Sequence, residues 1–287
     1  MKLLVAGASG LVGGEVARQA ARRGHAVTGA ARHVEGEATC ALDLEDRAQV
    51  ERTMAALEPE AVLICSAWPH VDGCERDPAR SERENVQTVA NVLAAARGSA
   101  ARVVFFSTDH VFDGSRPEHV ETDPVHPAAS VYARHKRRAE EMLLERPGSL
   151  VLRTAWVFGE ERRRKNFMYR VIDAARSGAP LLVPERQAGC PTWSGWLVGA
   201  VLASLERGVD GVLHLTGSEL LTKAAWAAML VEELQLPPLQ IREVSAAESG
   251  QVAPRPESVK LGTVRHQLRH PPLRDMLRAE RARFVSG

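Results

Sequence analysis

Tyrosine and lysine are scarce in this chain: two of the first and five of the second, against 32 arginines in 287 residues. Other scarcities exclude whole classes of protein. The four cysteines (Cys40, Cys65, Cys74, Cys190) show neither metal-ligand spacing nor a disulfide framework. Isolated buried thiols in a reducing cytoplasm are the expectation, with no metal site. No apolar run approaches the roughly 18 residues that a bilayer span needs. The opening Met1–Ala6 superficially resembles a signal peptide, but Gly7, Ser9, Gly10 and Glu15 interrupt it, so it reads better as a buried strand. A net charge of +1 and a pI near 7.8 leave no strongly basic surface for nucleic acid. The mixed-sign cluster Glu160–Lys165 reads as a solvated loop rather than a binding patch.

What is present alternates. Apolar strand-like runs at Lys2–Ala6, Ala26–Ala30, Thr39–Leu42, Ala61–Cys65, Val103–Ser107 and Leu150–Arg153 are separated by helical patterns. Those helices are expected over Leu11–Arg23, Asp46–Leu57, a long stretch opening at Asp77-Pro78, and the segment with Tyr132 and Lys136. This order predicts an α/β fold: a doubly wound, Rossmann-like parallel sheet with helices on both faces and ligands at the carboxyl ends of its strands. Residues 1–155 form the dinucleotide-binding domain, with some later elements returning to it. Residues 156–287 form mainly a smaller, irregular α/β substrate-binding lobe. In that lobe helices are expected at Phe167–Arg176, Trp193–Leu205 and Lys223–Leu234, with strands near Leu181–Val183 and Val212–Leu215. The tail, rich in Pro, Arg and Glu, has weak periodicity. The segment Thr108–Ser130, with Asp113-Gly114, Pro117, Pro124 and Pro127, is long for a connector and reads as an active-site loop.

Gly7-Ala8-Ser9-Gly10-Leu11-Val12-Gly13 joins the first strand to the first helix. Glycines there allow a tight turn, approach of backbone to a pyrophosphate and close helix–strand packing, while the helix N-terminus offers free N–H groups to phosphate. At the end of the second strand stands Arg32, with no carboxylate until Glu35. Arginine suits a 2′-phosphate that a carboxylate would repel, so NADPH is expected, with NADH possible. The bland reading of Arg32 is an exposed loop residue. Asp43-Leu44, after the third strand, meets the adenine edge, or Asp43 is an N-cap.

Tyr132 and Lys136 are four apart, an arrangement expected by chance at about 3–4 % in this composition. On a helix that spacing puts the ammonium beside the phenol, lowers the phenol's pKa and makes it a usable general acid. The alternative is a half-buried tyrosine with a surface lysine. Thr108, ending the fifth strand, can donate to a substrate carbonyl or simply close a turn.

Together these residues resemble the extended short-chain dehydrogenase/reductases. Ser107–Gly114, Leu152–Phe158, Asn166-Phe167, Gly189–Thr192 and Arg255–Leu261 are similar, within that group, to the signatures of dTDP-4-dehydrorhamnose reductases. The resemblance implies NADPH-dependent reduction of the C4 ketone of a nucleotide-linked deoxysugar. Catalytic roles fall to Thr108, Tyr132 and Lys136, and cofactor contacts also to Ser66 and Ala67. Substrate contacts fall to Thr108, His110, Trp156, Asn166 and Pro191, although Trp156 is equally a core residue. His110 departs from the family's usual tyrosine and Trp68-Pro69 is unusual, which leaves the sugar open. The sequence is silent on oligomeric state, and a monomer or homodimer is the expectation. The alternatives are reduction of another nucleotide sugar or a natural-product ketone, and a non-catalytic NADP-binding subunit similar to the regulatory subunit of methionine adenosyltransferase.

Overall fold

A computed structural model of the chain describes residues 1–126 and 129–285; Pro127 lies outside the described residues. The amino-terminal half runs β1 (Lys2–Ala6), α1 (Leu11–Arg22), β2 (Ala26–Ala31), β3 (Cys40–Ala41), α2 (Arg47–Leu57) and β4 (Ala61–Ile64). It continues with α3 (Val71–Arg76), α4 (Pro78–Glu82), a π-turn at Arg83–Gln87, α5 (Thr88–Ala95) and β5 (Arg102–Thr108). After α6 (Val131–Leu144) and β6 (Leu150–Thr154) come β7 (Val157–Phe158), α7 (Phe167–Ser177), β8 (Leu181–Pro184), β9 (Ala188–Gly189) and β10 (Thr192–Trp193). The chain closes with α8 (Ser194–Glu206), β11 (Gly211–His214), β12 (Leu221–Thr222), α9 (Lys223–Glu233), β13 (Ile241–Val244) and α10 (Leu273–Val285).

The central sheet has seven strands in the order β11-β6-β5-β4-β1-β2-β3, and every pairing in it is parallel. The order reverses between β1 and β4, which opens a crevice at their carboxyl ends where doubly wound sheets take their ligands. Both faces are covered, so the strands are apolar throughout rather than alternating. Val16, Ala20, Leu197 and Val201 from α1 and α8 pack one face; Val50, Met54, Val89, Val92 and Leu143 from α2, α5 and α6 pack the other. The edge strand β11, from residues 211–214, brings late chain back into this sheet.

A second cluster, built from Tyr169, Ile172, Trp226, Leu230, Leu277 and Phe284, holds α7, α9 and α10 together. The tail, read from its weak periodicity as irregular, therefore ends in a helix. Its apolar stripe is narrow (Leu273, Met276, Leu277, Phe284). Arg274 and Arg278 on the other side close onto the buried carboxylate of Glu233 in α9, Arg278 at 2.6 Å.

The long helix expected from Asp77 is present but interrupted. Asp77 caps it by accepting from the Arg80 N–H at 2.9 Å, and the π-turn then displaces one turn. That turn aims Asn85 at the segment after β4: its Oδ1 accepts from the Trp68 N–H at 2.9 Å and its Nδ2 donates to the Trp68 carbonyl at 3.2 Å. The Thr108–Ser130 segment corrects the sequence reading in part. Among its described residues, Thr108, Asp109 and His110 face a cleft. Val111 and Phe112 instead make a small core with Val259 and Leu261, Phe112 stacks on His119 at 4.3 Å, and Gly114 (φ +75°) fits where a Cβ would lie 2.2 Å from the Ser258 carbonyl oxygen. The start of this segment thus packs against residues 256–261.

Candidate active site

Helix α6 carries the central side chains. The Ser130 hydroxyl accepts from the Ala133 N–H at 3.2 Å and the Glu75 carboxylate from the Val131 N–H at 2.9 Å, so two acceptors fix where the helix starts. Tyr132, Lys136 and Glu140 then follow at four-residue intervals on one buried face. Glu140 is bidentate with Arg153 of β6, at 2.7 and 3.0 Å, both side chains about 4 % exposed or less. This pair fixes the rotation of α6 against the sheet and turns Tyr132 and Lys136 toward the end of β5. There the Thr108 hydroxyl donates to Asp109 at 3.1 Å and accepts from the His110 N–H at 3.2 Å. The His110 ring stands edge-on to Tyr132, centroids 5.9 Å apart.

The expected tuning of phenol by amine is not what the side chains show. Lys136 Nζ donates to the Phe106 carbonyl at 2.5 Å and lies 3.8 Å over the Phe105 ring. Burial pulls its pKa down to about 7, against Glu140, which favours the charged form. The Tyr132 phenol is pushed up, not down. Burial does most of this and the Asp109 carboxyl adds to it, while a hydrogen bond with Thr108 works the other way. Desolvation of both groups outweighs the i,i+4 proximity on which the sequence argument relied, and the buried ammonium takes the nearest carbonyl. Asp109 is itself raised by burial, and His110 is lowered by it.

The glycine run forms a cradle. Gly7 sits at φ +91°, where a Cβ would lie 2.6 Å from the Ser66 nitrogen, and a Cβ on Gly13 would lie 2.2 Å from the Gly7 carbonyl oxygen. The first glycine makes the turn and the last lets α1 pack on it. Gly10, Leu11 and Val12 open onto a cleft of about 730 Å³ that also meets Ser66, Ala67, Thr108, His110, Tyr132, Lys136, Trp156 and Asn166. A neighbouring chamber of about 260 Å³ runs from Gly7 past Ala31, Arg32 and His33 to Leu44 and Ser66. Gly10 closes the turn by donating to the Gly7 carbonyl at 3.0 Å, and the first-turn N–H groups of α1 at Leu11 and Val12 suit a dinucleotide diphosphate.

Some expected residues go elsewhere. Asp43 lines neither space and is not the N-cap, which is Asp46, accepting from the Gln49 N–H at 3.0 Å. Asp43 instead accepts from the Glu45 N–H at 3.0 Å and from Arg32 Nε at 3.2 Å. Arg32 also pairs with Glu45, so its guanidinium rests on two carboxylates. Pro191 lines neither cavity; a Cβ on Gly217 would lie 2.0 Å from its carbonyl oxygen. The Gly189–Thr192 segment supports Trp156 from behind: Gly189 leaves room for the indole, 2.5 Å from where its own Cβ would be. Trp156 holds a left-handed backbone, φ +41°, which is costly for a bulky residue and persists where packing over-determines it. Asn166 borders the cleft and anchors its own loop, donating to the Gly159 carbonyl and to Glu161, each at 3.0 Å. Of the cysteines, Cys74 and Cys190 are buried and Cys40 and Cys65 half-buried, and all four are free.

A second cavity, about 310 Å³, opens beyond Trp156 and His110. Three cations reach it, Arg170, Lys223 and Arg255. Lys223 Nζ lies 3.3 Å over the Trp156 ring, and burial pulls its pKa down to about 7. Arg255 is bidentate with Asp72 at 2.6 and 3.0 Å. Burial opposes ionisation of Asp72, but Arg255 and the N–H groups of Ala253 and Val252 outweigh it and hold the carboxyl well below the usual range. Sequence reading missed Lys223, Arg170 and Asp72. Arg255 was visible in a motif, but its partner, 183 residues away, was not. Among the described residues no group of three or more His, Cys, Asp or Glu is placed to hold a metal ion, and no helix is long and apolar enough to cross a membrane.

The family described as RmlD substrate binding domain matches residues 1–277. The chain is 32% identical to dTDP-4-dehydrorhamnose reductase of Mycolicibacterium smegmatis, covering 96% of this chain and 82% of that one. It is also 32% identical to a probable dTDP-4,6-dihydroxy-2-methyloxan-3-one 4-ketoreductase of Streptomyces antibioticus, covering 99% and 95%. The crystal structure of dTDP-4-dehydrorhamnose reductase from Bacillus anthracis in complex with NADP superposes with a TM-score of 0.86 at 21% identity, over 97% of both chains.

Proposed function

The chain belongs to the RmlD substrate binding domain family, and from that premise we propose that it is an NADPH-dependent reductase of the C4 ketone of a dTDP-linked deoxysugar, most like dTDP-4-dehydro-β-L-rhamnose. The observation that carries this reading is a pair of adjoining cavities that share Val71, Asp109, His110 and Trp156 in their walls. In the larger, Thr108, Tyr132 and Lys136 face the glycine cradle, and Trp156 and His110 lead on to the cavity reached by Arg170, Lys223 and Arg255.

Gly7, Gly10, Leu11 and Val12 hold the cofactor's diphosphate, Leu44, Ser66 and Ala67 its adenosine, and Arg32 its 2′-phosphate. A reduced nicotinamide, when bound, supplies the hydride. The Thr108 hydroxyl, turning its proton from Asp109, hydrogen-bonds the ketone oxygen. The Tyr132 hydroxyl gives that oxygen its proton as negative charge develops there. A phenol raised by burial stays fully protonated at neutral pH, so the acid is present when it is needed. Lys136 lines the same cleft as Tyr132 and is the amine from which a proton returns to the tyrosine once its bond to the Phe106 carbonyl gives way. The three cations of the outer cavity complement a nucleotide diphosphate, and Trp156 borders the sugar. Most of the rate comes from holding ketone, acid and reductant together.

The test is loss of NADPH absorbance with enzymatically prepared dTDP-4-dehydrorhamnose and related 4-keto sugars. Turnover that disappears in Tyr132→Phe while NADPH still binds supports the reading. Binding of NADPH with no turnover on any keto sugar favours the non-catalytic NADP-binding alternative instead.

A further inference from the structure

The loop 160–165, mixed in sign and read from sequence as solvated, reaches across the cofactor cleft. Arg163 and Lys165 border the same cleft as Gly10 and Leu11. Arg163 also borders the chamber that contains Arg32, His33 and Leu44. Its guanidinium pairs with Glu35, a residue 128 positions away and three beyond Arg32, in the loop after β2. The loop is shaped from below by the Glu161 carboxylate, which accepts from the N–H groups of Lys165 at 3.1 Å and Asn166 at 3.0 Å. Arg164, at φ +48°, turns the opposite way, to Asp173 at 2.6 Å and over Tyr169 at 4.2 Å. That reversal is what lets its neighbours on both sides face the cleft.

We propose that Arg163 is the second arginine of the 2′-phosphate site, reaching the phosphate from the loop 160–165 and exchanging Glu35 for it. The proposal rests on the NADPH reading above and adds a contact from outside the nucleotide-binding strands. Both arginines rest on carboxylates beside the chamber: Arg163 on Glu35, Arg32 on Asp43 and Glu45. The Arg163 and Glu35 side chains are 45% and 30% exposed, and exposed ion pairs contribute little to stability, so giving one up costs little. A phosphate monoester carries nearly two charges and three acceptor oxygens, and a guanidinium meets it in a bidentate fork. Hydrogen bonding with Arg163 holds the Glu35 carboxyl below its usual range, so Glu35 is ionised at neutral pH and competes with the phosphate throughout the working range.

The experiment is fluorescence titration of the whole protein with NADPH and with NADH, for wild type, Arg163→Gln, Glu35→Gln and the double variant. Arg163→Gln is expected to weaken NADPH roughly tenfold and NADH less than about twofold. Glu35→Gln is expected to tighten NADPH by roughly two- to fivefold, and the gain should vanish in the double variant. Equal effects of Arg163→Gln on both dinucleotides, no effect on either, or a Glu35→Gln gain that survives in the double variant overturns the assignment. So does a wild type that binds NADH as well as NADPH. A wild type that binds NADPH with this pattern yet reduces no keto sugar removes the proposed reaction and leaves the phosphate site standing. Unchanged thermal unfolding of the exposed single variants shows that binding, not folding, is being read.

Discussion

Replacing Asp72 by asparagine tests the joint between α3 and the segment that closes the outer cavity. Asp72 Oδ1 accepts from the N–H groups of Val252 (2.8 Å) and Ala253 (2.9 Å) and from Arg255 Nη1 (3.0 Å), while Oδ2 accepts from Arg255 Nη2 (2.6 Å). An asparagine keeps the three bonds to Oδ1 and sets its NH₂ donor against the Nη2 donor. The charge-assisted bond lost is worth about 1.5–3 kcal/mol, and stranding one member of a fully buried pair costs about 3–5 kcal/mol. The two side chains are 15% and 14% exposed, so solvent softens the upper figure, and about 2–4 kcal/mol is expected. For a chain of this size that lowers Tm by about 3–7 °C. The depressed carboxyl pKa gives stability that is present above its unfolded value, near 3.9, and lost as pH falls below it. The difference between wild type and Asp72→Asn should therefore be full at neutral pH and shrink below about pH 4. Denaturant unfolding of wild type, Asp72→Asn, Arg255→Gln and the double variant gives the coupling energy. A coupling below about 0.5 kcal/mol, or a Tm unchanged within about 1 °C, would refute the reasoning. Because both side chains also line the outer cavity, the KM for the nucleotide sugar should rise more than the Kd for NADPH.

Further outcomes follow from the same geometry. Tyr132→Phe should lower kcat by roughly 10²–10⁴ while the Kd for NADPH stays within about twofold, measured by stopped turnover and titration. Lys136→Met removes an amine that folding depresses from 10.5 to about 7. The folded chain gives up that proton between pH 7 and 10.5 while the unfolded chain keeps it, so this group makes wild-type stability rise across that window. Urea unfolding of the variant at pH 6, 8 and 9.5 should show a flatter profile and greater stability at pH 6, by up to about 5 kcal/mol less what the lost bond to the Phe106 carbonyl contributed, with activity lost; an unchanged profile contradicts the placement of the amine. Glu140→Gln breaks the buried pair with Arg153 and should cost about 3–5 kcal/mol in chemical denaturation, with kcat falling as α6 loses its fixed rotation. Arg32→Ala should weaken NADPH far more than NADH, and equal losses would place the phosphate elsewhere.

Lys2–Ala6, Gly7–Gly13 and the helix after them were legible because each demand there is local. A strand buried on both faces must be apolar, a turn at φ +91° needs glycine, and a helix N-terminus needs nothing brought from afar. The spacing of Tyr132 and Lys136 placed both on one helical face for the same reason. Their electrostatics were not legible. Whether an ammonium lowers a neighbouring phenol depends on what else burial brings, and here it brings the Phe106 carbonyl to the amine and Asp109 toward the phenol. Tertiary structure also decided that Pro191 packs against Gly217, that Val111 and Phe112 pack against Val259 and Leu261, and that the arginine-rich tail is a helix over Glu233. It alone matched Asp72 with Arg255, Glu140 with Arg153 and Glu35 with Arg163. Sequence specifies which groups carry charge; only folding sets which of them lose water together, and that loss determines their partners and their pKa.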